Sequence, residues 1–244
     1  MSNSIQDISL LNLSFAFIPT VLVLAILYKW HMNYGNAIYA IVRMLIQLLI
    51  IGYLLVFIFN TESAWLVVGI LLVMVIASSW IALGVAKKHQ GKLFRYALLS
   101  IAIGGGINLL IVTQGVLVLD PWYEPRYVIP LAGMIFANAM NTVSLAVERL
   151  DAELTNGLPF ERARSVAFQA AMIPTINSLF AVGLVSLPGM MTGQILSGVS
   201  PLVAVRYQIV VMCMIFSSAG IASAMFLVLS KPSFINKAMG GESF

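Results

Sequence analysis

Charge is scarce in this chain. Aspartate, glutamate, lysine and arginine make up 9% of its 244 residues, where a soluble domain carries about 25%. Too little polar sequence remains for a separate soluble module. There is one cysteine, Cys213, so no intrachain disulfide can form; in its apolar run it reads as a buried, unreactive thiol. His31 and His89 lie far apart in loops and offer no metal-ligand spacing. No Walker A pattern occurs, so the chain builds no phosphate loop of its own. The apolar segments hold no HExxH, no Ser–His pair and no paired acids, which argues against an intramembrane hydrolase. Nor does any carboxylate lie well inside such a segment: Glu62, Asp120, Glu124 and Glu148 all mark ends. Proton-driven pumps need an ionisable relay within the membrane, so that class is disfavoured. The net charge of +4 is spread over short loops, without the dense basic stripe that binds nucleic acid. The first residues, Met1–Asp7, lack a basic n-region, and no cleaved signal peptide is expected.

What the chain has in abundance is apolar sequence: 61% of residues are hydrophobic and the mean hydropathy is +1.00. A helix crosses a bilayer with about 20 apolar residues at 1.5 Å of rise each. Seven segments meet that need, near Ile8–Tyr28, Ala37–Phe59, Ala64–Ala86, Tyr96–Leu119, Val128–Val147, Ile173–Pro201 and Tyr207–Leu229. The expected fold is an all-α polytopic membrane bundle of about seven transmembrane helices. We read 1–244 as one transmembrane domain with a short cytoplasmic segment at 148–170. Asn60, Thr61 and Glu62 read as a tight loop. The turn at Asp120–Pro125 carries interfacial aromatics.

Basic residues set the orientation. Lys29, Lys87, Lys88, Lys92, Arg95, Arg149, Arg162, Arg164, Lys231 and Lys237 fall on one side of a seven-span path; Arg126 and Arg206 fall on the other. Arg43 reads as lying near the basic face, at a helix end. The N-terminus is then outside, and the C-terminus and 148–170 are cytoplasmic.

The segment Ile173–Pro201 is badly built for a plain helix. Pro188 has no N–H, and in a continuous helix its ring would clash with the carbonyl of Leu184; Gly183, Gly189 and Gly193 loosen the backbone around it. Broken membrane helices must be buried in protein or line a watery cavity, and they often mark transport sites. A simple proline kink between packed helices is the other reading. The amides and hydroxyls of the spans, Asn108, Thr113, Gln114, Asn138, Asn141, Thr142, Asn177, Ser178, Thr192, Gln194 and Gln208, have interhelical hydrogen bonding as their ordinary role. Gly189, Gly193 and Ser197 recur every fourth position, as do Gly220 and Ala224, which permits close helix contact within one subunit. Met134, Met140, Met190 and Met191 offer soft metal ligands or, more commonly, apolar filling. In the cytoplasmic stretch, Pro159 and Glu161 suit a helix start, and Phe160, Ala163, Ala167, Ala170 and Ala171 recur at helical spacing. This predicts a short amphipathic helix that lies on lipid or docks on a partner.

Four stretches carry a family resemblance: VRMLIQLLIIGYLL (Val42–Leu55), VIPLAGMIFANAM (Val128–Met140), IPTINSLFAVGLVSLPGMMTGQILSGVSP (Ile173–Pro201) and AVRYQIVVM (Ala204–Met212). They resemble the FetB family, membrane permease subunits of ABC-type transporters implicated in bacterial iron export, with plant relatives in aluminium tolerance. The resemblance covers nearly the whole chain in matching order, and Leu187–Gly193 (LPGMMTG) is its most specific part.

The resemblance implies a permease in the inner membrane that pairs with itself and with a cytoplasmic ABC ATPase. ATP and magnesium would sit on that partner and no cofactor on this chain. On this reading Asn138, Asn141, Asn177, Pro188, Gly189, Met190, Met191 and Gln194 are the candidate translocation path. Gly157, Pro159, Phe160, Glu161, Arg162 and Arg164 are the candidate ATPase contact. The chain departs from the family in one place. Members carry a longer segment between the fifth and sixth spans, ending in a LALGATP-like motif. Here Glu148–Gln169 is shorter by about four helical turns, and Asn156-Gly157-Leu158-Pro159 stands where that corner would be. The shortening leaves an uncoupled channel or facilitator, or a membrane scaffold, as alternatives. Iron rests on the resemblance; another metal or a sugar nucleotide stays open.

Overall fold

The computed structural model describes residues 8–60 and 63–238. The expectations for Met1–Asp7, Thr61 and Glu62 lie outside them. The chain forms two compact units, Met1–Glu62 and Ser63–Phe244.

The first unit is a helical hairpin. α1 (Leu10–Phe15) starts at Ser9, whose Oγ accepts from the Asn12 amide at 3.2 Å. α2 (Phe17–Lys29) follows after Ala16. The interruption has a cause: Pro19 has no N–H to give back to Phe15. α3 (Tyr34–Ile58) is capped by Asn33, whose Oδ1 accepts from the Asn36 amide at 3.3 Å. Tyr28 and Tyr34 meet edge to face across the turn, with centroids 5.4 Å apart. Among the described helical residues of this unit only Ile58 is buried. The position of Arg43 corrects the sequence reading. α3 begins at Tyr34, because the Asn33 cap starts the helix a turn early. Arg43 is therefore about 13 Å along the helix, not at its end.

The second unit is a bundle. α4 (Ala64–Ala82) leads through Leu83–His89, two short 3-10 turns with a kink at Ala86, to α5 (Gln90–Leu110), which ends in a π-helical turn at Ile111–Val116. α6 (Pro125–Thr155) and α7 (Phe160–Ala181) form an antiparallel pair across a four-residue turn. α8 (Gly189–Leu196), α9 (Pro201–Leu229) and α10 (Lys231–Ala238) complete the unit. α5, α6 and α9 make the centre; α4 packs on α5 and α6, α7 on α6 and α9, and α8 on α9. Small and branched side chains fill the core: Ala97, Ile101, Ile135, Ala139, Val143, Ala167 and Phe226 are fully buried.

Among the described residues six helical segments are long and apolar enough to cross a membrane: Leu10–Lys29, Tyr34–Ile58, Ala64–Ala86, Gln90–Val116, Pro125–Thr155 and Pro201–Leu229. The protein is an all-α, multi-pass membrane bundle. The seventh expected span takes another form. Ile173–Pro201 comprises the end of α7, a non-helical break at 182–188, and α8. The polar stretch after the fifth span is also reorganised. α6 runs on to Thr155, and the amphipathic pattern from Phe160 is the first half of α7, not a separate short helix. Its apolar stripe, Ala163, Ala167 and Ala171, is buried inside the unit, so it is not free for lipid or a partner.

The basic residues of this unit gather as expected. Arg95, Arg149, Arg162, Arg164 and Lys231 lie where α5 and α7 start and α6 and α9 end; Arg126 and Arg206 lie at the starts of α6 and α9. Cys213 corrects another expectation, because it is exposed. The buried stripe of α9 runs through Ala204, Gln208, Val211, Met214 and Ser218, and Cys213 is turned off it.

Candidate functional site

The site is built on the α6–α7 pair. Its turn closes at Asn156–Pro159, where Gly157 takes φ 85°, a left-handed value that suits glycine. Leu158 N donates to Glu153 O at 3.1 Å and Gly157 N to Leu154 O at 3.1 Å, closing the end of α6. From this turn Asn138 lies seventeen residues back along α6 and Asn177 seventeen residues on along α7. Both are therefore about 25 Å from the turn. α6 is about 46 Å long and the hydrocarbon about 30 Å thick, so both amides fall at membrane depth. Asn177 and Asn141 are exposed and Asn138 half-buried. Asn138 Nδ2 donates to Met134 O of its own helix at 2.8 Å. Among the described residues no hydrogen bond links any of the three to another helix. Amides in this setting need water or another protein surface, since lipid offers them no partner.

Above them α7 stops at Ala181. Its carbonyl accepts from Val185 N at 2.8 Å, Ser186 N at 3.1 Å and Leu184 N at 3.3 Å, and Gly183 N donates to Ser186 O at 2.9 Å. Gly183 takes φ 81°. The break thus satisfies much of its own backbone. Pro188 is not inside a helix at all. It is the extended N-cap of α8, with φ −62° and ψ 146°, and its carbonyl accepts from Thr192 N at 3.0 Å and Thr192 Oγ1 at 3.1 Å. The expected clash with Leu184 is absent because the chain has already left the helix. Leu184 and Val185 at the break are 89% and 81% exposed.

α8 brings Gly189, Met190, Met191 and Gln194 together on one short helix against α9. Met190 and Met191 are half-buried. Gln194 Oε1 and, on α9, Gln208 Oε1 are buried and accept no hydrogen bond among the described residues. A Cβ at Gly189 or Gly193 would meet nothing within 4 Å among the described residues, so these two glycines make no close helix contact there, contrary to the expectation. Gly220 does pack internally, with Met172 Cε 3.7 Å from its Cβ position. Among the described residues no group of three His, Cys, Asp or Glu side chains is placed to hold a metal ion.

At the basic end, Gly157, Pro159, Phe160, Glu161, Arg162 and Arg164 form a corner. Glu161 Oε2 pairs with Arg164 Nη2 at 2.7 Å, and Glu161 Oε1 with Lys231 Nζ at 2.6 Å. Lys231 Nζ also sits 5.5 Å from the centre of the Phe160 ring. The Lys231 hydrogen bond holds the Glu161 carboxyl below its ordinary range; slight desolvation opposes this, and the charges of Arg164 and Lys231 add to it. Sequence reading missed Lys231 here, since 70 residues separate it from Glu161 and no local spacing announces the pair. It also missed Ser217, whose hydroxyl on α9 meets Asn108 Oδ1 on α5.

The family model described as uncharacterised protein family UPF0014 matches residues 9–158 and 159–235. Its two blocks meet at the α6–α7 turn. A UPF0014 membrane protein of Synechocystis is 35% identical over 74% of this chain and 76% of its own. The probable iron export permease protein FetB of Escherichia coli is 34% identical over 82% of each chain. The protein ALUMINUM SENSITIVE 3 of Arabidopsis thaliana is 34% identical over 89% of this chain and 85% of its own. No solved structure matches.

Proposed function

The chain belongs to the UPF0014 family of membrane proteins, and on that premise we propose that it is the permease subunit of an ABC-type transporter exporting metal ion, iron first among them. Its relative in Escherichia coli bears the name of an iron export permease. The observation that carries a transport reading is the pairing of a non-helical break at 182–188 with uncovered amides at membrane depth on α6 and α7. Alternating access needs an element with two arrangements of similar energy, and a helix already divided into α7 and α8 supplies a hinge.

On this reading Asn138, Asn141, Asn177, Met190, Met191 and Gln194 line the path, and Pro188 and Gly189 start its movable arm. Two copies of the chain pair in the inner membrane, each with an ABC ATPase below. ATP and magnesium bind that partner, and this chain itself catalyses nothing. The corner from Gly157 to Arg164 faces the ATPase. The basic end is cytoplasmic by the positive-inside rule, with the C-terminus inside and the N-terminus outside. The short Asn156–Pro159 turn, where the two matched blocks meet, favours a second reading: an uncoupled facilitator or scaffold that has lost its ATPase contact.

Copurification with a candidate ABC ATPase, followed by iron-stimulated hydrolysis in lipid vesicles, tests the proposal. A stable complex with stimulated hydrolysis is expected. Iron flux without ATP would establish the facilitator instead, and neither flux nor hydrolysis would leave the scaffold. For orientation, single cysteines in a Cys213→Ser background should label with an impermeant thiol reagent from outside at Glu124 but not at Gln90 or Asn156. Outside labelling at Gln90 inverts the assignment.

A further inference from the structure

In the first turn of α7, Arg162 N and Ala163 N each donate to the Pro159 carbonyl at 3.0 Å. Pro159 is the N-cap and makes no side-chain cap. The turn is also held from outside. Lys231, the first residue of α10, puts Nζ 2.6 Å from Glu161 Oε1 and 5.5 Å from the centre of the Phe160 ring. Glu161 keeps its other oxygen on Arg164, so one carboxylate ties the helix start to the C-terminal helix. α10 is itself anchored: Ser230 before it is fully buried, and Phe234 is 4% exposed. Arg95 and Tyr96, at the start of α5, are joined by a 2.7 Å hydrogen bond, and Ser233 lies beside the Tyr96 hydroxyl. Two segments distant in sequence, the starts of α7 and α5, thus meet α10.

We infer that Lys231 is a positioning residue for the Phe160–Arg162 corner, so that the C-terminal helix sets the orientation in which this corner meets its partner. The inference rests on the proposed ATPase contact at that corner. The pair is about half exposed at both side chains, and ion pairs so exposed add little to global stability. Its effect is therefore local: it selects one orientation of a turn that lacks a side-chain cap. Arg162 remains exposed beside it, and its direction follows from the turn.

The test uses the full chain with its candidate ATPase and compares Lys231→Glu, Lys231→Gln and the conservative Lys231→Arg. Amide hydrogen exchange over residues 158–163 is read with and without the ATPase. In the absence of the ATPase, exchange there should accelerate about fivefold or more in Lys231→Glu, while the thermal midpoint barely moves. Lys231→Arg, which keeps the charge and leaves Glu161 on Arg164, should retain wild-type exchange. With the ATPase, coupled hydrolysis should fall by about fivefold or more in Lys231→Glu and stay near wild type in Lys231→Arg. Unchanged exchange in Lys231→Glu overturns the inference whether or not a complex forms. Accelerated exchange with undiminished hydrolysis overturns the positioning role and leaves only a local tie. If wild-type protein forms no complex, the proposed coupling fails, and Arg162 then orients toward no ATPase.

Discussion

Gly104 on α5 lies against the backbone of Ala222 on α9: a Cβ at position 104 would stand 3.0 Å from Ala222 N and 3.2 Å from its Cα. Its neighbour Gly105 faces α6, where a Cβ would come 2.7 Å from Phe136 Cε1 and 2.9 Å from Ile135 Cγ2. Two consecutive glycines let α5 approach both other central helices. In lipid, where apolar burial drives helices together only weakly, close backbone approach is a main source of attraction.

Alanine at either position should therefore destabilise the bundle. Gly104→Ala meets rigid backbone, and Gly105→Ala meets two buried side chains; each should cost about 1–3 kcal/mol. Gly106 has nothing within 4 Å of its Cβ position, and Gly106→Ala should gain up to about 1 kcal/mol. Thermal unfolding in detergent reads all three. Equal effects at 104 and 106 would show that the α5–α9 approach is not as described.

The spans' asparagines should divide into two groups. Asn108 donates to Gly104 O at 2.7 Å and meets Ser217 across the helix interface, so Asn108→Leu should lower stability by about 1–2 kcal/mol. Asn141→Leu and Asn177→Leu remove exposed amides without interhelical bonds. They should leave the thermal midpoint nearly unchanged and reduce transport in vesicles. Full transport in the double variant would remove both from the path.

The break should survive loss of its proline. Pro188 stands outside any helix, while Gly183 holds a left-handed conformation beside the Ala181 carbonyl that gathers three amides. Gly183→Ala has space but the wrong φ, and should lose about 1–2 kcal/mol. Pro188→Ala should lose less than about 1 kcal/mol. Thermal unfolding separates them; a larger loss at Pro188 would return the break to a proline-dictated kink.

Acid should weaken the corner through Glu161. Its folded carboxyl titrates below the unfolded one, chiefly through the Lys231 hydrogen bond. The stabilisation is then present above the unfolded range, about pH 4.3, and is lost as pH falls through the depressed folded value. Exchange of residues 158–163 should rise on acidification in wild type more than in Glu161→Gln, after correction for intrinsic exchange. Parallel profiles would show that the pair does not hold the turn.

Much of the fold was legible in the chain itself. Six of the seven expected spans, the polar ends between them and the grouping of basic residues follow from composition along the sequence, because the bilayer sets helix length and the loops carry the charge. The interruption near Pro188 was legible too, since glycine and proline act on the backbone locally. Its form was not: Pro188 begins a helix where it was expected to interrupt one. The same limit applies at Arg43, whose depth depends on where the Asn33 cap starts α3.

What only the tertiary structure decided is which faces meet. Cys213 was expected buried and is exposed; Gly189 and Gly193 were expected to pack and stand open; Gly104 and Gly105 are pressed against two helices. Glu161 finds Lys231 across 70 residues. In a soluble helix the polar face marks the outside. In a membrane bundle lipid and core are both apolar, so periodicity cannot distinguish them, and burial is settled by the close approach of backbones and by the few polar groups that must find one another.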